Sequence, residues 1–347
     1  MQDSLFEDFG ASLPVSPLAK RNARADAWVH PAAPDPGLQQ LAAALPHRLR
    51  MGTSSWNFPG WKGLVWDEEY DASALSRRGL TAYAQQPLLR TVGIDRSFYR
   101  PLTAAQFADY AAQVPAGFRF VVKAPSLVAD ALLRDNVGRG MQPNMHFLNP
   151  AMAADKFVQP ALEGLGAKLG ALVFQLSPLP PSMLQAAHLE EVLARLRSLL
   201  QALPALQPWA PEGIVAVEVR NAELLTPALA QVLREGGATY CLGLHPRLPP
   251  ISEQLPLLRA LWPGPLVCRW NLHRLHGARG YEEARALYRP FNALVDPDPD
   301  LRSTLARVIV GTTGAGYPAY VTVNNKAEGS APLSIQALAQ EVLRQQG

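Results

Sequence analysis

The stretch IVAVEV, residues 214–219, decides the fold class. It is a near-continuous apolar run rich in β-branched residues, which is typical of a strand buried on both faces. The segments on either side, LEEVLARLRSLLQAL (189–203) and TPALAQVLREGG (226–237), carry apolar residues at three- and four-residue spacing, as amphipathic helices do. A buried strand between two covering helices is the local unit of a parallel α/β sheet.

Seven further runs of the same kind alternate with helical patterns such as 102–114 and 334–346. The seven runs are LRMGTS (49–54), RTVGID (90–95), FRFVVKA (118–124), ALVFQL (171–176), ATYCLGL (238–244), PLVCRW (265–270) and AYVTVN (319–324). Eight strand–helix units in a row predict a TIM-type (β/α)8 barrel, with parallel strands inside a ring of outer helices. An open doubly wound sheet is disfavoured, because it usually has fewer strands and no GxGxxG follows the first run.

The barrel is predicted to form one domain over residues 47–347. Residues 1–46 are rich in Pro, Ala and charge, and we expect a mostly disordered tail with a short helix near LQQLAAAL (38–45). The chain begins without a basic segment followed by an apolar one, and it has no bilayer-spanning stretch. We therefore expect a cytoplasmic protein with no membrane partner.

The bulk composition excludes few functions. The net charge of +3 is too small to indicate a nucleic-acid partner by itself. The two cysteines, Cys241 and Cys268, lie in apolar runs without metal-binding spacing, and we interpret them as buried thiols. Because the net charge is small, any anion-binding site must be a local cluster of cationic side chains.

Polar residues concentrate where the predicted strands end, and the active site of a TIM barrel lies at those ends. The strand starts carry almost no ionisable side chain. The candidates are Ser54, Ser55, Trp56, Asp95, Lys123, Gln175, Glu218, Arg220, His245, Arg269, Asn271, Asn324, Asn325 and Lys326.

Three of these residues are candidates for catalysis. Glu218 sits between β-branched neighbours, where desolvation would raise its pKa and suit it to proton transfer. The alternative for Glu218 is an internal salt bridge with Arg220, which lies on the same strand face. Lys123 can bind an anion, or act as a base or Schiff-base amine if its pKa is lowered. Asp95 is the third candidate.

The remaining candidates are predicted to bind substrate. Arg220, Arg269 and Lys326 would form, with Lys123, a basic cluster suited to phosphate or carboxylate. The amides of Gln175, Asn324 and Asn325 would hold a polar ligand.

Aromatic residues follow the first two strands. Trp56 and Tyr99 are the expected pocket walls, because aromatic faces suit sugar rings and nucleobases. Trp61 and Trp66 are more simply explained by packing of the long first loop.

No cofactor is predicted. Asp95, Glu218 and His245 are the potential metal ligands at the strand ends, so a single divalent metal ion is the alternative. His273 and His276 lie in a long excursion after the seventh strand, and we expect them to cover the mouth.

Six segments together resemble the YecE-like family, known as domain of unknown function 72. They are GTSSWNFPGWKG, DRSFYRP, FRFVVKAP, LVFQLSP, VAVEVRN and VTVNNKAEGSAP. The resemblance covers residues 49–345 and implies a TIM-like barrel with a polar cleft at the strand ends, without an established reaction. Family members typically have Glu-Ile-Asn where this chain has Gly93, Ile94 and Asp95, so Asp95 is the carboxylate available here.

The N-terminus carries a second signal. Residues 2–6, QDSLF, resemble the short peptide with which many bacterial proteins bind the replication sliding clamp. Leu5 and Phe6 would fill an apolar pocket, and Gln2 would supply hydrogen bonds.

Three functions stay open on these residues. The first is an enzyme, a hydrolase or lyase, that acts on a small anionic substrate with Glu218 as acid/base. The second is a DNA-associated hydrolase or lesion-binding protein recruited to the sliding clamp, with nucleic acid in the cleft. The third is a barrel that binds a ligand without turning it over.

Overall fold

A computed structural model describes residues 28–135 and 140–346, and it confirms the TIM-type barrel. Its eight strands are β1 (Leu49–Thr53), β2 (Leu89–Ile94), β3 (Arg119–Lys123), β6 (Leu169–Gln175), β7 (Ile214–Glu218), β8 (Thr239–Leu244), β9 (Leu266–Trp270) and β10 (Ala319–Val323). These strands are parallel and close into a barrel in the order β1-β2-β3-β6-β7-β8-β9-β10, and β10 pairs with β1. Two short strands, β4 (Leu132–Arg134) and β5 (Gly140–Pro143), form a separate antiparallel hairpin.

Helices surround the barrel, and the four predicted helical segments are all present. The helices are α1 (Pro36–Ala44), α2 (Ala72–Arg78), α3 (Leu80–Tyr83), α4 (Ala104–Ala112), α5 (Ser126–Ala129), α6 (Pro150–Ala153), α7 (Gln159–Leu165), α8 (Ala186–Ala202), α9 (Pro227–Glu235), α10 (Ile251–Ala260), α11 (Tyr281–Tyr288), α12 (Pro299–Gly314) and α13 (Ala331–Gln346). Helix α4 begins with a capping box between Thr103 and Gln106, which satisfies exposed backbone N–H groups of its first turn. None of these helices is long and apolar enough to cross a bilayer.

Strand alternation divides the apolar residues into two cores. Side chains that point outward pack against the helices and form the large core of the protein. Side chains that point inward form a small separate cluster along the barrel axis, which includes Val121, Val173, Ala216 and Tyr320. Side chains two residues further along a strand lie on the same face. The inward positions after this cluster are therefore the ones that open at the carboxyl ends of the strands.

The packed part of the chain starts earlier than the boundary at residue 47 that the sequence predicts. Val29 is buried, and Pro31 forms a β-bridge with Trp66. Helix α1, the short helix expected near 38–45, contacts α13. Residues 28–46 thus belong to the packed structure, because apolar side chains of this segment pack against the rest of the fold. The predicted clamp-binding residues Gln2, Leu5 and Phe6 lie outside the described residues.

Candidate functional site

A deep cleft of about 890 Å³ opens at the carboxyl ends of the barrel strands. Its floor is formed by inward-facing strand-end residues, and α11 with its flanking loops forms part of its wall. Nine cationic side chains and three carboxylates line it. The cations are Lys62, Lys123, Arg134, Arg220, Arg247, Arg269, Arg279, Arg285 and Arg289, and the carboxylates are Glu69, Asp95 and Asp130. The excess of positive charge suits an anionic ligand.

Arg269 is the centre of a buried network on the floor of the cleft. Its Nη1 donates to Glu218 Oε2 at 2.6 Å and to Gln175 Oε1 at 2.9 Å, and its Nη2 donates to Asp95 Oδ2 at 2.6 Å. Arg220 Nη2 lies 2.7 Å from Glu218 Oε1 and donates to Gln175 Oε1 at 2.9 Å. Five sequence-predicted residues are therefore brought together, and the two positive and two negative charges among them compensate one another.

The expectation of a raised pKa at Glu218 is wrong. Burial alone raises the pKa of this fully buried carboxyl, but Arg220 and Arg269 more than offset that effect, and its pKa lies below the ordinary 4.5. Glu218 is therefore an ion-paired carboxylate, and the salt bridge to Arg220 that was the alternative is present. Its place beneath the cleft surface makes it a group that positions the two arginines.

Lys123 ends β3 and reaches the cleft with its side chain mostly buried. Its Nζ lies 3.7 Å from the centroid of the Phe98 ring. Ser97 Oγ donates to the carbonyl oxygens of both Lys123 and Ile94, which ties the ends of β3 and β2 together. Burial lowers the pKa of Lys123 from 10.5 to about 7, while nearby Asp95 opposes the shift and Arg269 adds to it. The lysine therefore exchanges protons near neutral pH.

His245 follows β8 and lines the same cleft. Burial, together with the charge of Arg220, Arg247 and Arg274, lowers its pKa from 6.5 to about 2. Its Nδ1 accepts a hydrogen bond from the backbone N–H of Arg247 at 3.1 Å. The ring is accordingly neutral with its proton on Nε2, and it offers a hydrogen-bond donor that carries no net charge.

Sequence reasoning missed the outer arginines of the cleft. Arg247, Arg279 and Arg289 line it, and none of the three forms an ion pair with a carboxylate of the described residues. Burial lowers the pKa of Arg247, and the charges of Arg220, Arg279 and Arg134 lower it further. Arg289 directly follows α11, and Arg285 on that helix also lines the cleft.

The polar turn after β10 does not serve as a unit. Asn324 lines the cleft, half-buried, with its Oδ1 accepting from Lys326 N at 3.0 Å. Asn325 and Lys326 were expected to bind substrate, and the structure places both away from the cleft. A short 3₁₀ helix, Asn325–Ala327, begins directly after Asn324 and places both side chains in the packed interior.

Asn325 and Lys326 instead hold the packed surroundings of β10 together. Asn325 Oδ1 accepts from Trp61 Nε1 at 3.1 Å and from Ala331 N at 2.9 Å, so it joins the first loop to the start of α13. Lys326 is fully buried, with its Nζ 4.0 Å from the centroid of the Tyr281 ring. These contacts are structural.

The two expected aromatic walls differ. Tyr99 lines the cleft with 39% of its surface exposed and packs edge-to-face on Phe98. The expectation that Trp56 is a pocket wall is wrong, because this residue is buried away from the cleft. Its Nε1 donates to Leu75 O at 3.0 Å, and its ring packs against Tyr110. Trp61 and Trp66 are buried, as their packing role requires.

The metal alternative finds no cluster in the described part of the chain. No group of three or more His, Cys, Asp or Glu residues there is arranged to hold a metal ion. Asp95 and Glu218 are instead bridged by Arg269. His276 is engaged with Tyr288, 2.7 Å from its Nε2.

Comparisons with known proteins agree with this architecture. A family model described as "Protein of unknown function DUF72" matches residues 50–347. A solved DUF72 family protein from Thermotoga maritima MSB8 has a TM-score of 0.54 and 18% identity over 86% of this chain and 99% of its own. Another, from Enterococcus faecalis V583, has a TM-score of 0.53 and 18% identity over 85% of this chain and 97% of its own. No curated protein matched the chain.

Proposed function

The chain belongs to the DUF72 family, and on that premise we propose that its cleft is the active site of an enzyme acting on a small anionic substrate, phosphorylated or sugar-like. The observation that carries the proposal is the set of arginines in the cleft without carboxylate partners among the described residues, Arg247, Arg279 and Arg289. Unpaired guanidinium groups in a partly enclosed site favour phosphate and carboxylate oxygens, which they bind in bidentate geometry.

The volume of the cleft favours a small molecule. About 890 Å³ falls within the range of pockets that enclose small-molecule ligands, roughly 300–1,000 Å³. The inner arginines have a different role from the one expected of them. Arg220 and Arg269 already bind Glu218, Gln175 and Asp95, so they shape the floor, and the outer arginines hold the anionic group of the substrate.

Lys123 replaces Glu218 as the acid/base group of this proposal. Its amine lies in the cleft and titrates near neutrality, where a group that accepts and returns a proton is most effective. Glu218 is buried beneath the floor and carries two ion pairs, so a proton on it would break both. Neutral His245 supplies a hydrogen-bond donor to the substrate.

The test is a binding and turnover experiment with sugar phosphates. Ribose 5-phosphate and glucose 6-phosphate are expected to raise the melting temperature, and the unphosphorylated sugars are not. Arg247→Gln and Arg279→Gln should each weaken binding by roughly tenfold or more, since a charge-assisted hydrogen bond contributes about 1.5–3 kcal/mol. Arg197→Gln is the matched control, because Arg197 is half-buried and pairs with Glu235 outside the cleft.

Turnover is followed by ³¹P NMR of a mixture of sugar phosphates incubated with the protein. Consumption that stops in Lys123→Met supports an enzyme. Binding without consumption of any compound would support the alternative of a barrel that binds a ligand without turning it over. Equal binding by wild type, Arg247→Gln and Arg279→Gln would contradict the anion site itself.

A further inference from the structure

Lys123 is the one buried lysine in the described part of the cleft whose amine has no carboxylate bound to it. No described carboxylate forms an ion pair with its Nζ, and its close neighbour is the Phe98 ring. The two carboxylates whose charges act on Lys123 are Asp95 and Glu218, and both form ion pairs with arginines, Asp95 with Arg269 and Glu218 with Arg269 and Arg220. A buried ammonium normally has a partner, so this site favours a lysine that is often uncharged.

The other lysines lining or near the cleft differ in a way that isolates this one. Lys62 lines the cleft, but its side chain is exposed to water. Lys326 is buried, but it lies outside the cleft against Tyr281. Lys123 alone among the described lysines combines burial with access to the cleft.

We propose that Lys123 Nζ is a nucleophile that forms an imine with an aldehyde or keto group, so that the substrate class is a carbonyl compound carrying a phosphate or carboxylate. This inference rests on the proposed function, because the outer arginines hold the anionic group while the carbonyl meets Lys123. It extends that function from proton transfer to covalent chemistry.

The step balances without an oxidant or reductant. The neutral amine attacks the carbonyl carbon, a C–N bond forms, and a proton passes from nitrogen to oxygen to give a carbinolamine. The C–O bond then breaks and the oxygen leaves as water with a second proton from nitrogen, which leaves a C=N bond. Arginines in the same cleft stabilise anionic substituents of the bound compound.

Burial next to cations prepares the amine for this step. With a pKa of about 7, roughly half of the Lys123 side chains are neutral at pH 7, whereas an ordinary lysine is almost wholly protonated. Arg269 and Arg220 add to the lowering of this pKa, while the outer arginines Arg247, Arg279 and Arg289 hold the anionic part of the substrate.

The test uses pyridoxal 5′-phosphate, an anionic aldehyde, as the probe. The full-length protein is incubated with it near pH 7, reduced with borohydride, digested and analysed by mass spectrometry. The reduced adduct is expected on Lys123 at least tenfold more than on Lys62 or Lys156. Pyridoxal, which lacks the phosphate, should label Lys123 at least tenfold less, and inorganic phosphate should compete.

Three variants complete the experiment. Lys123→Met should lose the adduct, and Lys123→Arg provides a second variant that keeps a cation in place if methionine perturbs the fold. Lys156→Met is the control, because Lys156 is exposed and outside the cleft. Labelling spread over exposed lysines with none on Lys123 would overturn the inference. If sugar phosphates still bind in that case, the imine fails and the proposed anion site stands; if they do not bind, both fail.

Discussion

Arg269 donates to Glu218 at 2.6 Å although the two residues lie on β9 and β7, which are separated in the barrel by β8. The contact is possible because β8 presents Gly243 between them, whose missing side chain leaves the interior open. A Cβ there would lie 3.5 Å from Glu218 and 2.9 Å from Leu248. The ion pair therefore crosses the barrel interior and joins the floor of the cleft into one unit.

Glu218→Gln should destabilise the protein strongly. It removes the negative charge that compensates two buried guanidinium groups, and breaking a buried ion pair in this way costs about 3–5 kcal/mol. Because the pKa of Glu218 is lower in the folded state than its ordinary 4.5, its contribution is present above that value and is lost as the pH falls through the folded pKa. Urea unfolding at pH 7 and in mild acid measures both effects.

The matched double variant separates this mechanism from simple loss of packing. The double variant Glu218→Gln/Arg269→Met should be destabilised by less than the sum of the two single variants. It removes both charges of the Glu218–Arg269 ion pair, whereas each single variant leaves the other charge of that pair behind. Strict additivity would contradict the role given to the pair. The stability advantage of the wild type over Glu218→Gln should shrink in acid. An advantage that stays the same at both pH values would contradict the lowered pKa of Glu218.

Lys123→Met should stabilise the protein, and more at low pH. The folded pKa of about 7 lies below the ordinary 10.5, so below pH 7 the folded state carries the full penalty of a buried charge. Between pH 7 and 10.5 the unfolded chain binds more protons, and the wild type regains stability as the pH rises. We expect a gain on the order of 2–4 kcal/mol at pH 6 that falls by roughly half at pH 9.

Denaturant unfolding at the two pH values measures this gain. Lys156→Met, at an exposed position, should change stability by less than about 0.5 kcal/mol at either pH. An equal effect of Lys123→Met at pH 6 and pH 9 would show that the ammonium is not penalised by burial.

Gly93→Ala should destabilise the barrel by about 1–3 kcal/mol. A Cβ at Gly93 would meet the carbonyl oxygen of Ser54 at 2.7 Å, and that atom belongs to the backbone of the neighbouring chain segment. Gly311→Ala is the matched control, because a Cβ there meets nothing within 4 Å and alanine favours the interior of α12 by about 0.5–1 kcal/mol. Thermal melts of the two variants should therefore shift in opposite directions.

A peptide of residues 1–12 is expected to bind the bacterial sliding clamp with micromolar affinity. Leu5 and Phe6 supply the apolar anchors and Gln2 the polar contact, so the Leu5→Ala/Phe6→Ala peptide should lose binding. Fluorescence anisotropy of the labelled peptides measures this directly. A wild-type peptide that does not bind would end the prediction of a DNA-associated role through this segment.

The strands were predictable because each is an apolar run that must be covered on both faces. All eight barrel strands lie within two residues of their predicted bounds, and the side-chain alternation along them correctly placed Glu218 and Arg220 on one face. Local pattern was enough here, since the period of a strand and the direction of a parallel sheet follow from short-range geometry.

The turns after the strands were less predictable. Asn325 and Lys326 look in the sequence like a continuation of the polar mouth, yet one 3₁₀ turn directs both into the packed interior. Trp56 was misplaced for the same reason, because a loop side chain can turn either way. Arg247 and Arg279 went unnoticed since their distance from the other arginines along the chain hides their position around one cleft.

The amino-acid sequence by itself determined the barrel, its strand order and the inward register that carries Asp95, Lys123, Gln175 and Arg269 to one mouth. Only the tertiary structure decided the charge states of Glu218 and Lys123. Burial raises the pKa of an isolated carboxyl and lowers that of an isolated lysine. Neighbouring charges can reverse either shift, so the pKa in the folded protein depends on the charges that the fold places nearby. Glu218 met two arginines and stayed ionised, whereas Lys123 met an aromatic ring and no carboxylate of its own.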